Sequence, residues 1–475
     1  MSRINTNVGA LVAQRGLNKT QKSLGETLQR LSTGLRINRG ADDPAGLIAS
    51  EGLRSEISGI GQAISNSERA SNVIATTEGA LSEVASLLLN VKNLIVEAAN
   101  SGALSQDEID ANQLQVDSAI ESITSISNTT TFAGLKLLNG TLDYITSGVN
   151  KSSVEALRIN QANFGRNAFI PVDISVLTSA QNARLQFPSS AVTSSVRLEL
   201  TGTNGVDVLQ FVSGTTASSI AFAVNRLSDS TGVAASLINS ANPASGITFT
   251  SLGWGSREFV SVRAISGTFS TQRPDGTISD RSTGRDVIAT VNGALTNGSG
   301  LSLELNTNSL DLELTLNPGF GAGNSSFAIT GGGSLFQLGP QVVSNQQVNI
   351  GIQSTAASKL GNDSVGYLSD VQKGGVASLD RSPTNASKII ETAIRQVSIL
   401  RGRLGAFERN TLDTNVNSLS VALENVTASE SKIRDADFAK ETAELTRAQI
   451  LTQAGTSVLA TANSTPQSVL SLLQG

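Results

Sequence analysis

The chain of 475 residues contains no cysteine and no histidine. Without cysteine there is no disulfide, thiolate nucleophile or Cys-based metal site. Without histidine the commonest metal ligand is gone, and with it the Ser-His-Asp triad and the HExxH zinc site. Aromatic residues make up only 4%, with a single tryptophan, Trp254, and no lysine lies between Lys151 and Lys359. The net charge is −5 and there is no basic run, so nucleic-acid binding has no electrostatic footprint. No phosphate-binding GxxxxGK-S/T loop occurs, and Gly331-Gly332-Gly333 lacks dinucleotide-binding spacing and reads as a turn. Asp42-Asp43, beside Pro44, reads as a helix stop followed by a cap rather than as paired catalytic carboxylates. No catalytic, cofactor-binding or metal-binding residue is therefore assigned, and the chain reads as a non-enzyme. No uninterrupted run of 18 apolar residues is present, which argues against membrane insertion. The start, Met1–Asn7, has no apolar segment of the Sec-signal type.

What is present is concentrated at the two ends. Residues Ser2–Ile37 and Ser431–Leu473 both read as long helices with apolar stripes. Leu17, Leu24, Leu28, Leu31 and Leu35 follow three-four spacing apart from one skipped position, Gln21. Ala439, Ala443, Ile450, Ala454, Val458 and Ala462 share a small-residue face, and Val469, Leu470, Leu472 and Leu473 follow Pro466. Burying the five leucines returns about 8–15 kcal/mol. Closing the loop between the ends costs about 5 kcal/mol, and ordering some 36 residues costs on the order of 1–2 kcal/mol each. Intrahelical bonds offset part of this. The ends are expected to fray in an isolated monomer and to order when other subunits cover their stripes.

Inside the ends lie two rods. From about Ala45 to Ala99 a heptad seam runs through Ile60, Ile64, Ser67, Ala70, Ile74, Thr77, Leu81, Val84, Leu88, Val91 and Ile95. A helix of that length would reach about 80 Å. Ser105-Gln106-Asp107-Glu108 then opens a further helix carrying Ile109, Val116, Ile120 and Ile123. Phe132, Leu135, Leu137 and Leu138 lead to Asn139-Gly140, which reads as a hairpin turn with Leu142, Tyr144 and Ile145 on the return strand. The second rod resumes near Asn385 with Ile390, Ala393, Val397, Leu400, Leu404 and Phe407. Its phase slips by one residue at Leu412, and Val416, Leu419, Leu423, Val426 and Ile433 continue it.

Between the rods, Phe169–Val348 holds ten of the fourteen phenylalanines, and alternating runs such as Val196–Leu200 and Leu301–Leu305 read as strands. Thr215–Ser228 reads as one short helix with Ile220, Val224 and Leu227 inward. The expected fold is mainly α with a β-rich insert: a discontinuous, elongated helical bundle or coiled coil made from both ends, a hairpin near 132–145, and a strand-rich centre. The expected division is 1–42 plus 435–475 as a terminal coiled coil, 43–168 plus 355–434 as a rod, and 169–354 as a variable surface insert.

Several stretches resemble bacterial flagellin. They are Met1–Asn7, Gln29–Asn38, Ala41–Leu47, Thr77–Leu81, Phe132–Gly140, Ile433–Asp437 and Pro466–Leu473. The resemblance covers roughly 1–145 and 385–475, and the middle also resembles a strand–strand–helix–strand module of flagellin inserts. It implies a structural subunit that polymerises into the extracellular flagellar filament for swimming, exported unfolded by the flagellar type III system without a Sec signal. It implies intersubunit packing by Leu17, Leu24, Leu28, Leu31, Leu35, Ile450, Ala454, Val458, Val469, Leu470, Leu472 and Leu473. Rod packing falls to Ile74, Leu81, Leu88, Val91, Ile95, Val397, Leu400, Leu404, Leu419 and Leu423, while Arg36, Arg39, Asp42 and Asp43 read either as a charged joint between tail and rod or as solvated surface. The implied partners are further copies of the chain, an export chaperone on the C-terminal helix, and the filament cap and hook-junction proteins. A hook–filament junction protein sharing the terminal helices is the alternative. In flagellins recognised by a Toll-like receptor, a rod segment carries a key arginine; the aligned position is Asn90, Leu94 matches, and a partnering glutamate aligns with Gln115. Weak receptor activation is expected.

Overall fold

The computed structural model describes residues 6–474 other than 101, 166 and 308, and in the last turns it does not describe the side chains of 466, 467 and 469–474. Eight α-helices are described: α1 Val8–Thr33, α2 Pro44–Ala98, α3 Gln106–Thr129, α4 Ala217–Asn225, α5 Ser228–Thr231, α6 Pro383–Phe407, α7 Thr414–Arg434 and α8 Phe438–Gln474. The chain is mainly helical at both ends and strand-rich between them. It divides into two compact units, one of Met1–Arg69, Leu338–Val342 and Asn410–Gly475, the other of Ala70–Gln337 and Val343–Arg409.

In the first unit α1 packs along α8. Asn7 caps α1 by accepting from Ala10 N at 2.9 Å, and its Nδ2 donates to Ala462 O at 2.7 Å, so the cap also ties the two ends together. The helix stops at Gly34 (φ +73°), whose N–H donates to Arg30 O; a left-handed residue there ends it before the expected Ile37. The expected helix from Ser431 onward is also broken. Asp435 is extended, and Asp437 Oδ1 accepts from Ala439 N and Lys440 N, which ends α7 and opens α8.

In the second unit the heptad seam forms a helical core. Ile74, Leu81, Leu88, Val91 and Ile95 of α2 are buried with Val116, Ile120 and Ile123 of α3 and Ile390, Ala393, Val397, Leu400 and Leu404 of α6. Ser105 and Glu108 form the expected capping box on α3. Helix α2 does contain an 18-residue window of mean hydropathy 1.3, long and apolar enough to cross a membrane, contrary to the sequence expectation. Heptad spacing accounts for it, since the seam that raises the hydropathy lies in this core. The phase slip before Leu412 has a concrete form: Glu408–Asp413 is a π turn, and the extra residue per turn carries the seam from Leu404 to Leu412.

The hairpin differs from expectation. Its two-residue turn is Ala133-Gly134, both at positive φ as a type I′ turn requires, joining Thr131–Phe132 to Leu135–Lys136. Asn139 instead makes a local turn, its Oδ1 accepting from Thr141 N at 3.1 Å. Tyr144–Ser147 leaves to pair with Gly323–Gly332. Strands therefore begin before residue 169, and Val154–Ala162 lies inside a six-stranded sheet. The five- and six-stranded antiparallel sheets enclose one apolar core, with Val172, Ile174, Leu312 and Leu314 at its centre. The three- and four-stranded sheets with α4 enclose a second, around Leu198, Leu200, Ile220 and Phe249. Of the residues expected to face inward around α4, Ile220 and Val224 are buried and Leu227 is half-buried.

Tyr144 anchors the first of these cores. Its ring fits between Gly333 and Gly351, where an added Cβ would stand 2.8 Å and 2.7 Å from ring carbons. Its hydroxyl donates to Asn349 O at 2.9 Å and accepts from Ala162 N at 2.8 Å. Burial pushes the phenol above its ordinary range and lifts the neighbouring Asp143 carboxyl.

Candidate functional site

The two chain ends build the site. Along α1 the face toward α8 is Ala13, Leu17, Thr20, Leu24, Thr27 and Leu31, all covered. On α8 the covered positions are Glu441, Leu445, Ala448, Thr452, Gly455, Leu459 and Ala462. The covered face of α8 is therefore distinct from most of the small-residue stripe read from the sequence. Ala439, Ala443, Ile450, Ala454 and Val458 lie on the exposed side, and only Ala462 of that set is covered. Gly455 explains the choice of face, because an added Cβ there would lie 3.2 Å from Leu17 Cδ1. The helices approach where no side chain intervenes.

This leaves apolar surface open on both helices. Val8, Leu11, Val12 and Leu28 are exposed on α1; on α8 Phe438, Ile450, Leu451 and Val458 are exposed, Ile450 at 63% and Val458 at 58%. Gln449, Ile450, Gln453, Ala454 and Ser457 line a shallow hollow of about 510 Å³ on α8. Leu17, Leu24, Leu31 and Leu35 are half-buried, while Leu28 stays 49% exposed. The side chains of Val469, Leu470, Leu472 and Leu473 lie outside the described residues.

Where the tails meet the rods, the chain is stitched across nearly its whole length. Leu35 and Asp435 form an antiparallel bridge. Arg36 N donates to Arg434 O at 2.7 Å and Ala436 N to Gly34 O at 2.9 Å. The Arg36 guanidinium adds a bond to Ile433 O at 3.1 Å. Arg39 reaches Gln29 Oε1 at 3.2 Å. Asp42 Oδ2 accepts from Arg39 N at 2.8 Å and Asn38 N at 3.0 Å, and these bonds, that from Arg39 first, hold its carboxyl below the usual range. Asp43 Oδ1 accepts from Gly46 N at 2.9 Å and caps α2. All four expected joint residues are therefore engaged, in hydrogen bonds rather than in ion pairs with one another.

The ion pairs of the joint come from residues that spacing alone did not single out. Arg434 Nη1 meets Glu51 Oε1 at 2.8 Å, and this bond is the main reason the Glu51 carboxyl is held low. Arg30 meets the buried Glu441 at 3.3 Å. A charged residue on an otherwise small-residue face, as Glu441 is, was the available signal. In the rods, Ile74, Leu81, Leu88, Val91, Ile95, Val397, Leu400 and Leu404 are buried, while Leu419 and Leu423 of α7 are half-buried. Asn90 and Gln115 are exposed and Leu94 is half-buried.

Comparison with known proteins agrees with this architecture. The bacterial flagellin N-terminal helical region matches residues 4–143, the flagellin C-terminal helical region 387–473, and the flagellin hook IN motif 197–253. The chain is 29% identical to a flagellin of Salmonella rubislaw and 30% identical to the B-type flagellin of Pseudomonas aeruginosa, each over 99% of this chain and 99% of the relative. It is 29% identical to polar flagellin C of Vibrio parahaemolyticus, with the same coverage. Matched at both ends and aligned throughout, the chain belongs to the bacterial flagellin family, as a structural subunit of the flagellar filament and not an enzyme.

Proposed function

We propose that the exposed stripes of α1 and α8 are the surfaces through which copies of this chain join, with 1–42 and 435–475 forming the filament core. One observation carries this reading: the end helices cover one face against each other and still leave Val8, Leu11, Val12, Leu28, Ile450, Leu451 and Val458 in water. A contact between two different faces whose rotation does not close into a ring repeats into a helical polymer. Leu17, Leu24, Leu31 and Leu35 hold the pair from inside. Leu28, Ile450, Ala454 and Val458 meet neighbouring subunits, and Val469, Leu470, Leu472 and Leu473 extend that surface. Residues 43–168 and 355–434 form the surrounding shell, stiffened by the buried seam from Ile74 to Ile95 and from Val397 to Leu404 and continued by Leu419 and Leu423. Arg36, Arg39, Asp42 and Asp43 fix the joint, and 169–354, apart from Leu338–Val342, faces solvent.

The chain reaches the cell exterior unfolded through the flagellar type III channel, and an export chaperone covers 457–473 beforehand. A chain free of disulfides, with an apolar C-terminal helix that needs cover, suits that route. Filament cap and hook-junction proteins are the further partners. Asn90 and Gln115, in place of the charged pair, make for weak Toll-like receptor activation. The test is to replace Ile450 and Val458 by aspartate. The reading requires a monomer of unchanged stability that does not polymerise; normal polymerisation refutes it.

A further inference from the structure

We propose that Leu338–Val342 is a strap of the end-helix unit that locks the register of α2 against α7, and is not part of the surface insert in which the sequence places it. The strap belongs to the same compact unit as α1, α7, α8 and the first part of α2. Asn415 of α7 holds it from one side: its Nδ2 donates to Leu338 O at 2.8 Å and to Ser67 Oγ of α2 at 3.1 Å. One amide group thus joins three separate segments. Gly59 of α2 receives it from the other side. A Cβ at that position would lie 3.0 Å from Pro340 Cβ and 3.4 Å from Pro340 O, so the absent side chain is the notch into which the proline fits. Proline suits the notch because it has no N–H that needs a partner there. Leu338 is 5% exposed, and Ile60, Ala63 and Ser67 on α2 are buried as well. Val342 is 83% exposed, so the strap ends where it returns to solvent.

Register matters because the joint depends on it. Helix α2 begins just after the Leu35 bridge, and α7 ends just before Asp435. Sliding one helix past the other by one residue shifts it about 1.5 Å, enough to break the Leu35–Asp435 bridge and the Glu51–Arg434 pair. Those contacts hold the α2–α7 pair at its joint end. Gly59, Ser67 and Asn415, farther along both helices, are where the strap holds it.

The experiment uses the full chain with Leu338–Val342 replaced by Gly and Ser residues of equal number, beside the single variants Pro340→Gly and Asn415→Ala. Amide exchange is followed in α2 from Gly59 to Ser67, in α7 from Thr414 to Leu419, and in the strand Val196–Gly202, and polymer growth is followed by light scattering. The strap predicts at least tenfold faster exchange in both helical stretches, unchanged exchange in the strand, and several-fold slower growth. Unchanged protection in the helices of the replacement variant overturns it. If the replacement loses protection in the strand as well, the point variants decide: faster exchange confined to the two helical stretches supports the strap, and unchanged exchange there overturns it.

Discussion

Gly455 of α8 and Leu17 of α1 meet so closely that a methyl group on the glycine would stand 3.2 Å from Leu17 Cδ1. The contact sets which face of each end helix turns inward, and so which apolar residues remain for other subunits. Gly455→Val forces two branches into this gap. Overpacking of this kind costs about 1–3 kcal/mol. Denaturant titration followed by far-UV circular dichroism should show that loss in the helical transition, with polymerisation impaired. A variant as stable as the parent would mean that the helices do not meet there.

The outer face behaves oppositely. Ile450→Asp and Val458→Asp change residues that are already in water, so monomer stability should stay within about 0.5 kcal/mol, while elongation from seeds should cease. Leu17→Asp, on the inner face, should lower stability and elongation together.

Acid should loosen the joint. The carboxyls of Asp42 and Glu51 are both held low, the first mainly by the Arg39 backbone N–H and the second mainly by the Arg434 side chain. Such a group contributes stability that is fully present above its unfolded pKa, about 3.9 for Asp and 4.3 for Glu, and lost as pH falls through the lower folded value. Asp42→Asn should therefore weaken filaments at pH 7, and the difference from the parent should shrink as pH falls below about 3.9. Light scattering across that range measures it; a difference that stays constant would remove Asp42 from the joint.

Tyr144→Phe leaves Ala162 N without its acceptor and Asn349 O without its donor, inside the strand-rich core. Leaving such groups unpaired costs about 1–3 kcal/mol. Calorimetry should show the strand-rich transition shifted down, and fluorescence from Trp254, which packs against that same core, should report the shift.

Much of this fold was legible because heptad spacing is a local signal. The seam from Ile60 to Ile95 and the helix bounds near Ala45 and Ala99 could be read from spacing and punctuation alone, and the slip before Leu412 marked the π turn. What resisted reading depends on partners far away in the chain. Whether Ile450 or Ala448 faces α1 is decided by the absent side chain of Gly455, and both stripes are apolar enough to be chosen. Asn139-Gly140 has the composition of a hairpin turn, yet Ala133-Gly134 makes it, because Tyr144 is drawn away by Gly332 and Asn349. Arg36, Arg39, Asp42 and Asp43 carry charge that suits either a joint or a solvated surface, and spacing alone does not choose between them. Their partners Arg434 and Glu51 could be joined to them only once the two ends lay side by side.

The most direct test of the assembly account removes the end helices. A chain lacking residues 1–33 and 438–475, purified and seeded with filament fragments, should remain monomeric while circular dichroism still reports the helices and strands of 70–409. Growth of that truncated chain into ordinary long filaments would contradict the account.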